Sequence, residues 1–137
     1  MSTIQINGVV ATGEGQATSF TQLKWVSDAF FRHLDIRCHP GTVNIKVNSS
    51  KDLSLWNIVK EWPGIVLPPP KSDWCASRAW YARINCKVFG AVILPEVESY
   101  PKNKIELISA VSVRGVLNLK DNDAVSLEVT DSTESLS

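Results

Sequence analysis

The sequence predicts a mainly-β barrel or sandwich with one inserted α-helix. Two observations carry this. Apolar residues recur at every second position in about six short segments, the period of a half-buried strand. In one early segment they recur at helical spacing instead. Closing so small a sheet would also remove its exposed edges.

The elements follow in order. Ile4, Ile6, Gly8 and Val10 alternate with Gln5, Asn7 and Val9, giving a first strand that Gly13 and Gly15 break. Thr18, Ser19 or Thr21 caps a helix reaching Leu34. Leu23, Val26, Phe30 and Leu34 form its buried stripe, while Lys24, Asp28 and Arg32 fall on a solvated face and His33 is partly exposed. Val43, Ile45 and Val47 make a second strand, and Asn48 to Asp52 read as a turn. Residues 53–77 read as irregular, with Pro63-Gly64 and Pro68-Pro69-Pro70. Within them Leu53, Leu55, Trp56 and Ile58 fit either a short helix or a strand. Trp80, Ala82, Ile84, Cys86 and Val88 alternate along one long strand, with Cys86 facing the core. Ala91 to Leu94 form a continuous apolar strand, paired with it through a turn at Phe89-Gly90. Glu96 to Lys104 is a polar loop. Ile105 to Ile108 and Val111 to Val113 suggest a strand bending around Ser109-Ala110. Leu117 to Asp123 is a turn, and Val125, Leu127 and Val129 the last strand. Residues 1–129 read as one domain and 130–137 as a flexible, acidic tail.

Composition narrows the function. The chain has 137 residues, 44% of them hydrophobic, enough for one domain with a real core. Fourteen Lys plus Arg balance fourteen Asp plus Glu, so no global field attracts nucleic acid or anionic lipid. No apolar run approaches the ~20 residues of a membrane span. The start of the chain shows no secretory pattern, and Cys38, Cys75 and Cys86 lack disulfide or zinc spacing. A cytoplasmic location is expected. Trp25 and Trp80 read as core; the remaining tryptophans, at 56, 62 and 74, are candidates for a groove or partner surface.

Two glycine-marked segments carry the chemistry. Thr12-Gly13-Glu14-Gly15 follows a strand and precedes a helix, which suits backbone donors around phosphate. It is neither a P-loop nor a dinucleotide fingerprint, since the Gly-Lys-Ser/Thr and the third glycine are missing. Pro40-Gly41-Thr42-Val43-Asn44 puts a hydroxyl and a carboxamide two residues apart on an extended chain, so both point to the same side. Two neutral oxygens suit Mg2+ only when substrate phosphates and water complete the octahedron.

Gly13-Glu14-Gly15, Pro40 to Asn44, Leu94-Pro95-Glu96, Tyr100-Pro101, Glu106 to Val111, Arg114 and Leu119 to Asp123 occur in one order that resembles the archaeal-type CTP-dependent riboflavin kinases. The resemblance covers roughly residues 4–129. It implies a compact six-stranded cradle-loop β-barrel and transfer of the terminal phosphoryl group of CTP to riboflavin, giving FMN and CDP. By the same resemblance Thr12, Gly13, Glu14, Gly15 and Gln16 hold the nucleotide, helped by Val111, Ser112, Val113 and Arg114. Thr42 and Asn44 ligate Mg2+, and Glu106 contacts the flavin, with Glu98 at a second flavin position. No catalytic base is implied, because such transfer rests on alignment and charge neutralisation. The chain departs from the family at Ala11, where glycine is usual, at Gln16, where a basic residue is usual, and at Val97-Glu98-Ser99, where Arg-Thr-His is typical. These departures support two rival expectations: a barrel that binds nucleotide or flavin without catalysis, and a kinase with a different small-molecule acceptor.

Overall fold

The computed structural model describes residues 2–11, 24–39, 42–68, 76–96, 98 and 100–133. The glycine segment 12–16, the candidate helix caps, Pro40, Gly41, Trp74, Cys75, Val97 and Ser99 lie outside them, as does the side chain of Trp25.

Seven strands are described: β1 (Thr3–Ala11), β2 (Val43–Lys46), β3 (Ile65–Leu67), β4 (Ser77–Ile84), β5 (Val88–Pro95), β6 (Lys104–Ile108) and β7 (Ala124–Thr130). All pairings are antiparallel. The order β4-β5-β6-β2-β1-β7 closes on itself through β4–β7, giving the six-stranded barrel that the sequence implies. The short β3 adds to the free stretch of β4, where Ile65 pairs with Ala79 and Leu67 with Ser77.

Alternation divides the side chains between two cores. Ile6, Val10, Val43, Ile45, Trp80, Ile84, Val92, Ile105, Leu107, Leu127 and Val129 fill the interior. On the outer face Tyr81, Ala91, Ile93 and Ile108 meet Phe30 and Leu34 of α1 (Lys24–Leu34). The Tyr81 hydroxyl donates to Leu34 O at 2.8 Å, satisfying a carbonyl that the helix end leaves open. Phe30 and Leu34 are buried and His33 half-buried, as the periodicity predicts.

The structure corrects four local readings. The turn read at Asn48 to Asp52 is the start of a second helix, α2 (Ser50–Glu61), so residues 53–61 of the stretch read as irregular are helical. Ser49 Oγ accepts from Asp52 N at 3.1 Å and donates back to the Asp52 carboxylate, a reciprocal cap. Trp56 and Val59 carry this helix into the interior core, and Trp56 meets Trp80 edge-on at 5.9 Å. The Asp52 carboxylate also accepts from Asn7 N at 3.0 Å. β2 pairs with β1 only from Val9 onward, so Asp52 replaces the acceptor that β2 does not supply to Asn7.

The second correction is the hairpin. It turns at Asn85, Cys86 and Lys87, with Ile84 opposite Val88, and not at Phe89-Gly90. Asn85 and Cys86 both have positive φ, 52° and 58°. Asn85 N donates to Ser126 O at 2.8 Å, and Asn85 Oδ1 accepts from Ser126 N at 2.9 Å. Cys86 is consequently exposed and does not face the core. Gly90 serves a different need: a Cβ there would lie 2.2 Å from Ile108 O.

Thirdly, Val111 to Val113 do not continue a strand. β6 ends at Ile108, and Ser112 caps a helical turn, α3 (Val113–Val116), by accepting from Gly115 N at 3.3 Å. Fourthly, β7 runs through the buried Thr130, and Asp131 is tied to Ser2 by Asp131 N to Ser2 O at 3.0 Å and Ser2 N to Asp131 Oδ1 at 2.7 Å.

Among the described residues no helix is long and apolar enough to cross a membrane.

Candidate functional site

The barrel register assembles the site. Val43 pairs with Leu107 and Ile45 with Ile105, both pairs facing the interior. The residue between, Asn44, therefore faces outward, directly opposite Glu106 of β6 and Ala11 of β1. Glu106 in turn lies opposite Ile93 of the outer core. One transverse row on the outer face thus reads Ala11, Asn44, Glu106, Ile93. Directly opposite side chains in such a row sit about 4.5–5.5 Å apart at Cβ.

Thr42 immediately precedes β2, two residues before Asn44. The two oxygens Thr42 Oγ1 and Asn44 Oδ1 are buried and make no hydrogen bond among the described residues. Asn44 as a whole is only 7% exposed. An unpartnered buried polar atom costs about 1–3 kcal/mol, so two of them within three residues call for a partner. Hard neutral oxygens of this kind fit Mg2+. No three His, Cys, Asp or Glu residues gather into a metal site among the described residues.

Glu106 belongs to a small polar cluster. Lys104 Nζ lies 3.1 Å from Glu106 Oε1 and 5.6 Å from the centroid of the Tyr100 ring. Lys104 pairs with Lys46 of β2, two residues beyond Asn44 on the same face. The Tyr100 hydroxyl is buried beside the Glu106 carboxylate. Burial first, then the negative charge of Glu106, pushes its pKa well above the usual phenol range, so it stays a donor. Sequence reading missed Lys46, Tyr100 and Lys104. Alternation from Asn44 marks Lys46, whereas the other two follow only once β6 is known to lie against β2.

The topology also gathers chain ends. Ala11, the last described residue before the glycine segment, lies opposite Asn44, and β6 ends beside the start of β2. The segment Val111 to Arg114 therefore leaves from the same end of the barrel as Thr42. There His39 N donates to Ser109 O at 2.7 Å, joining the chain before Pro40 to the chain before Val111. Val111 and Ser112 are exposed, while Val113 is buried in the interior core. Arg114 is exposed and pairs with Asp121 at 2.9 Å. Glu98 is exposed in the turn between β5 and β6, at the opposite end of β6 from Val111. The structure thus sets Asn44 opposite Glu106, with Thr42 two residues before Asn44 in the chain. It sets Arg114 and Glu98 further out, and the calls on residues 12–16 lie outside the described residues.

Comparison with known proteins gives the family. A family model named CTP-dep_RFKase, described as a domain of unknown function, DUF120, matches residues 10–129. The chain is 36% identical over 132 residues to a riboflavin kinase of Pyrobaculum calidifontis, across 94% of this chain and 61% of that protein. It is 30% identical over 125 residues to a riboflavin kinase of Methanobrevibacter smithii, across 91% of this chain and 99% of that one. A riboflavin kinase of Sulfurisphaera tokodaii is 30% identical over 129 residues, across 92% and 95%. The chain spans about three fifths of the length of the Pyrobaculum relatives and nearly all of the Methanobrevibacter one.

Proposed function

Because this chain belongs to the CTP-dependent riboflavin kinase family, we propose that it transfers the terminal phosphoryl group of CTP to riboflavin. The products are FMN and CDP. The ribityl hydroxyl oxygen forms the new bond to the terminal phosphorus, the bond from that phosphorus to the CDP oxygen breaks, and the hydroxyl proton passes to solvent.

The supporting observation is the pair of buried, unpartnered oxygens of Thr42 and Asn44 in line with Glu106. Thr42 and Asn44 would hold Mg2+, which would supply charge neutralisation to the triphosphate when bound. The backbone of residues 12–16 and Val111 to Arg114 would seat the nucleotide around it. Ala11 and Ser109, which flank those segments, lie at the same end of the barrel as Thr42. Glu106, opposite Asn44, places a hydrogen-bond acceptor for the flavin beside the metal pair. Reactant alignment and fixed charges supply the catalytic effect, so no catalytic base is assigned. The zero formal charge suits small-molecule ligands better than nucleic acid, and a cytoplasmic setting fits a CTP-using enzyme.

Incubation of the purified protein with riboflavin, CTP and Mg2+ tests this, with FMN as the product sought. Absence of FMN, together with unchanged CTP binding in a Thr42→Ala/Asn44→Ala double variant, would refute the assignment.

A further inference from the structure

The outer-face row beside Asn44 and Glu106 reads Val9, Lys46, Lys104. Two lysines thus stand directly opposite each other on neighbouring strands, an arrangement that destabilises a sheet when nothing lies between the charges. Lys104 is accounted for: its ammonium bonds Glu106 Oε1 at 3.1 Å and lies 5.6 Å from the Tyr100 ring centroid. Lys46 is exposed, and no ion pair among the described residues includes it. With Glu106 neutralised by Lys104, Lys46 is the surplus positive charge of the two rows.

We propose that Lys46, with Lys104 opposite, forms an anion subsite that receives the transferred phosphoryl group as the phosphate monoester of the product. This inference rests on the riboflavin kinase reading above. The position of Lys46 along the strand supports it. Thr42 lies at the end of β2 from which Val111 to Arg114 leave, whereas Lys46 lies beyond Asn44 in the opposite direction, about 7 Å along the strand. A phosphoryl group passing from nucleotide to acceptor therefore travels from the Thr42 side towards the Lys46 side. On arrival it is a monoester with about 1.5 to 2 negative charges at neutral pH. The flexible Lys46 stem brings an ammonium donor to its oxygens, and Lys104 adds positive charge from across the strand pair. The unphosphorylated acceptor has no charge to place there, so the subsite distinguishes product from substrate.

Calorimetric titration of the full chain with FMN and with riboflavin tests the subsite. The wild type is expected to bind FMN at least about threefold more tightly than riboflavin. Lys46→Met removes the charge and keeps much of the stem; it should weaken FMN about three- to tenfold and leave riboflavin unchanged. Lys46→Arg should keep the preference for FMN. Because Lys46→Met relieves a like-charge contact, its ligand-free melting temperature should equal or exceed that of wild type, which separates the loss of FMN binding from a folding defect. Equal wild-type affinity for the two flavins would overturn the subsite, as would FMN binding by Lys46→Met as tight as wild type. The kinase assignment would survive either result. A wild-type protein that binds neither flavin would overturn both.

Discussion

Asn44 of β2 lies directly opposite Glu106 of β6 on the outer face of a barrel whose interior neighbours, Val43 and Leu107, are also paired. A neutral amide whose oxygen is unpartnered thus adjoins a carboxylate that is already paired with Lys104. Glu106 is thus engaged in an ion pair, whereas the Asn44 oxygen makes no hydrogen bond among the described residues.

Thr42→Val should separate binding from folding. The Thr42 hydroxyl is buried without a partner, so removing it relieves a penalty in the ligand-free protein. Ligand-free stability is expected to stay the same or rise by up to about 1 kcal/mol. On the proposed reading, in which the hydroxyl ligates Mg2+, affinity for CTP–Mg2+ should fall at least about tenfold, since a direct ligand matters no less than an outer-shell one. Thermal melts with and without CTP–Mg2+ check both arms; a marked loss of ligand-free stability would show that the hydroxyl is structural.

Gly90→Ala should unfold the protein or nearly so. The added methyl would meet Ile108 O at 2.2 Å, a backbone atom inside the β5–β6 pairing that cannot move alone. A loss above about 3 kcal/mol is expected, at the upper end for a single substitution. At Gly115 the nearest atom is the Ser112 side-chain oxygen at 3.1 Å, so Gly115→Ala should be far milder. Urea denaturation of the two variants side by side gives the comparison.

Asp52→Ala should cost about 1–2 kcal/mol at neutral pH, by removing the carboxylate that accepts from both Ser49 Oγ and Asn7 N. The Ser49 hydrogen bond first, then that of Asn7 N, hold the Asp52 carboxyl below its ordinary range. A depressed folded-state pKa means the stabilisation is complete above the unfolded value, about 3.9. It is lost as the pH falls through the folded value. The stability gap between wild type and variant should therefore be constant near neutrality and close below about pH 4. Denaturation curves across that range decide it.

Cys86→Gly should stabilise. Cys86 is exposed with φ 58°, a conformation that costs a non-glycine residue about 1 kcal/mol or more. Relief of that strain is partly offset by the greater freedom of glycine in the unfolded chain, leaving a net gain of up to about 1 kcal/mol. The same variant should lose a thiol that reacts readily with a disulfide reagent in the folded protein. A melting temperature below wild type would contradict the strain argument.

The strands were legible where burial alternates with period two. β1, β2 and β7 follow Ile4 to Val10, Val43 to Val47 and Val125 to Val129 because one face meets the interior and the other does not. The outward position of Asn44, between the interior Val43 and Ile45, was legible for the same reason. The hairpin was not. Asn85 and Cys86 hold left-handed conformations without glycine, with Ser126 supplying the hydrogen bonds from a strand 41 residues away. Gly90 looked like turn chemistry, but its cause is a carbonyl of β6. Helix α2 hid behind a polar run that resembles a turn, although Ser49-x-x-Asp52 is itself a capping signature. Tyr100 and Lys104 needed the β2–β6 register, which no local pattern contains.

The pairing of Thr3 with Thr130, sealed by Ser2 and Asp131, brings both ends of the described chain to one corner. That corner is the far end of β1 from Ala11, about 27 Å away at ordinary strand rise. A tag, tether or additional module fused at either end starts well clear of the mouth where nucleotide would enter. A short bridge across the corner, with a new opening at Asn85 to Lys87, would give a permuted chain in which every strand stays whole.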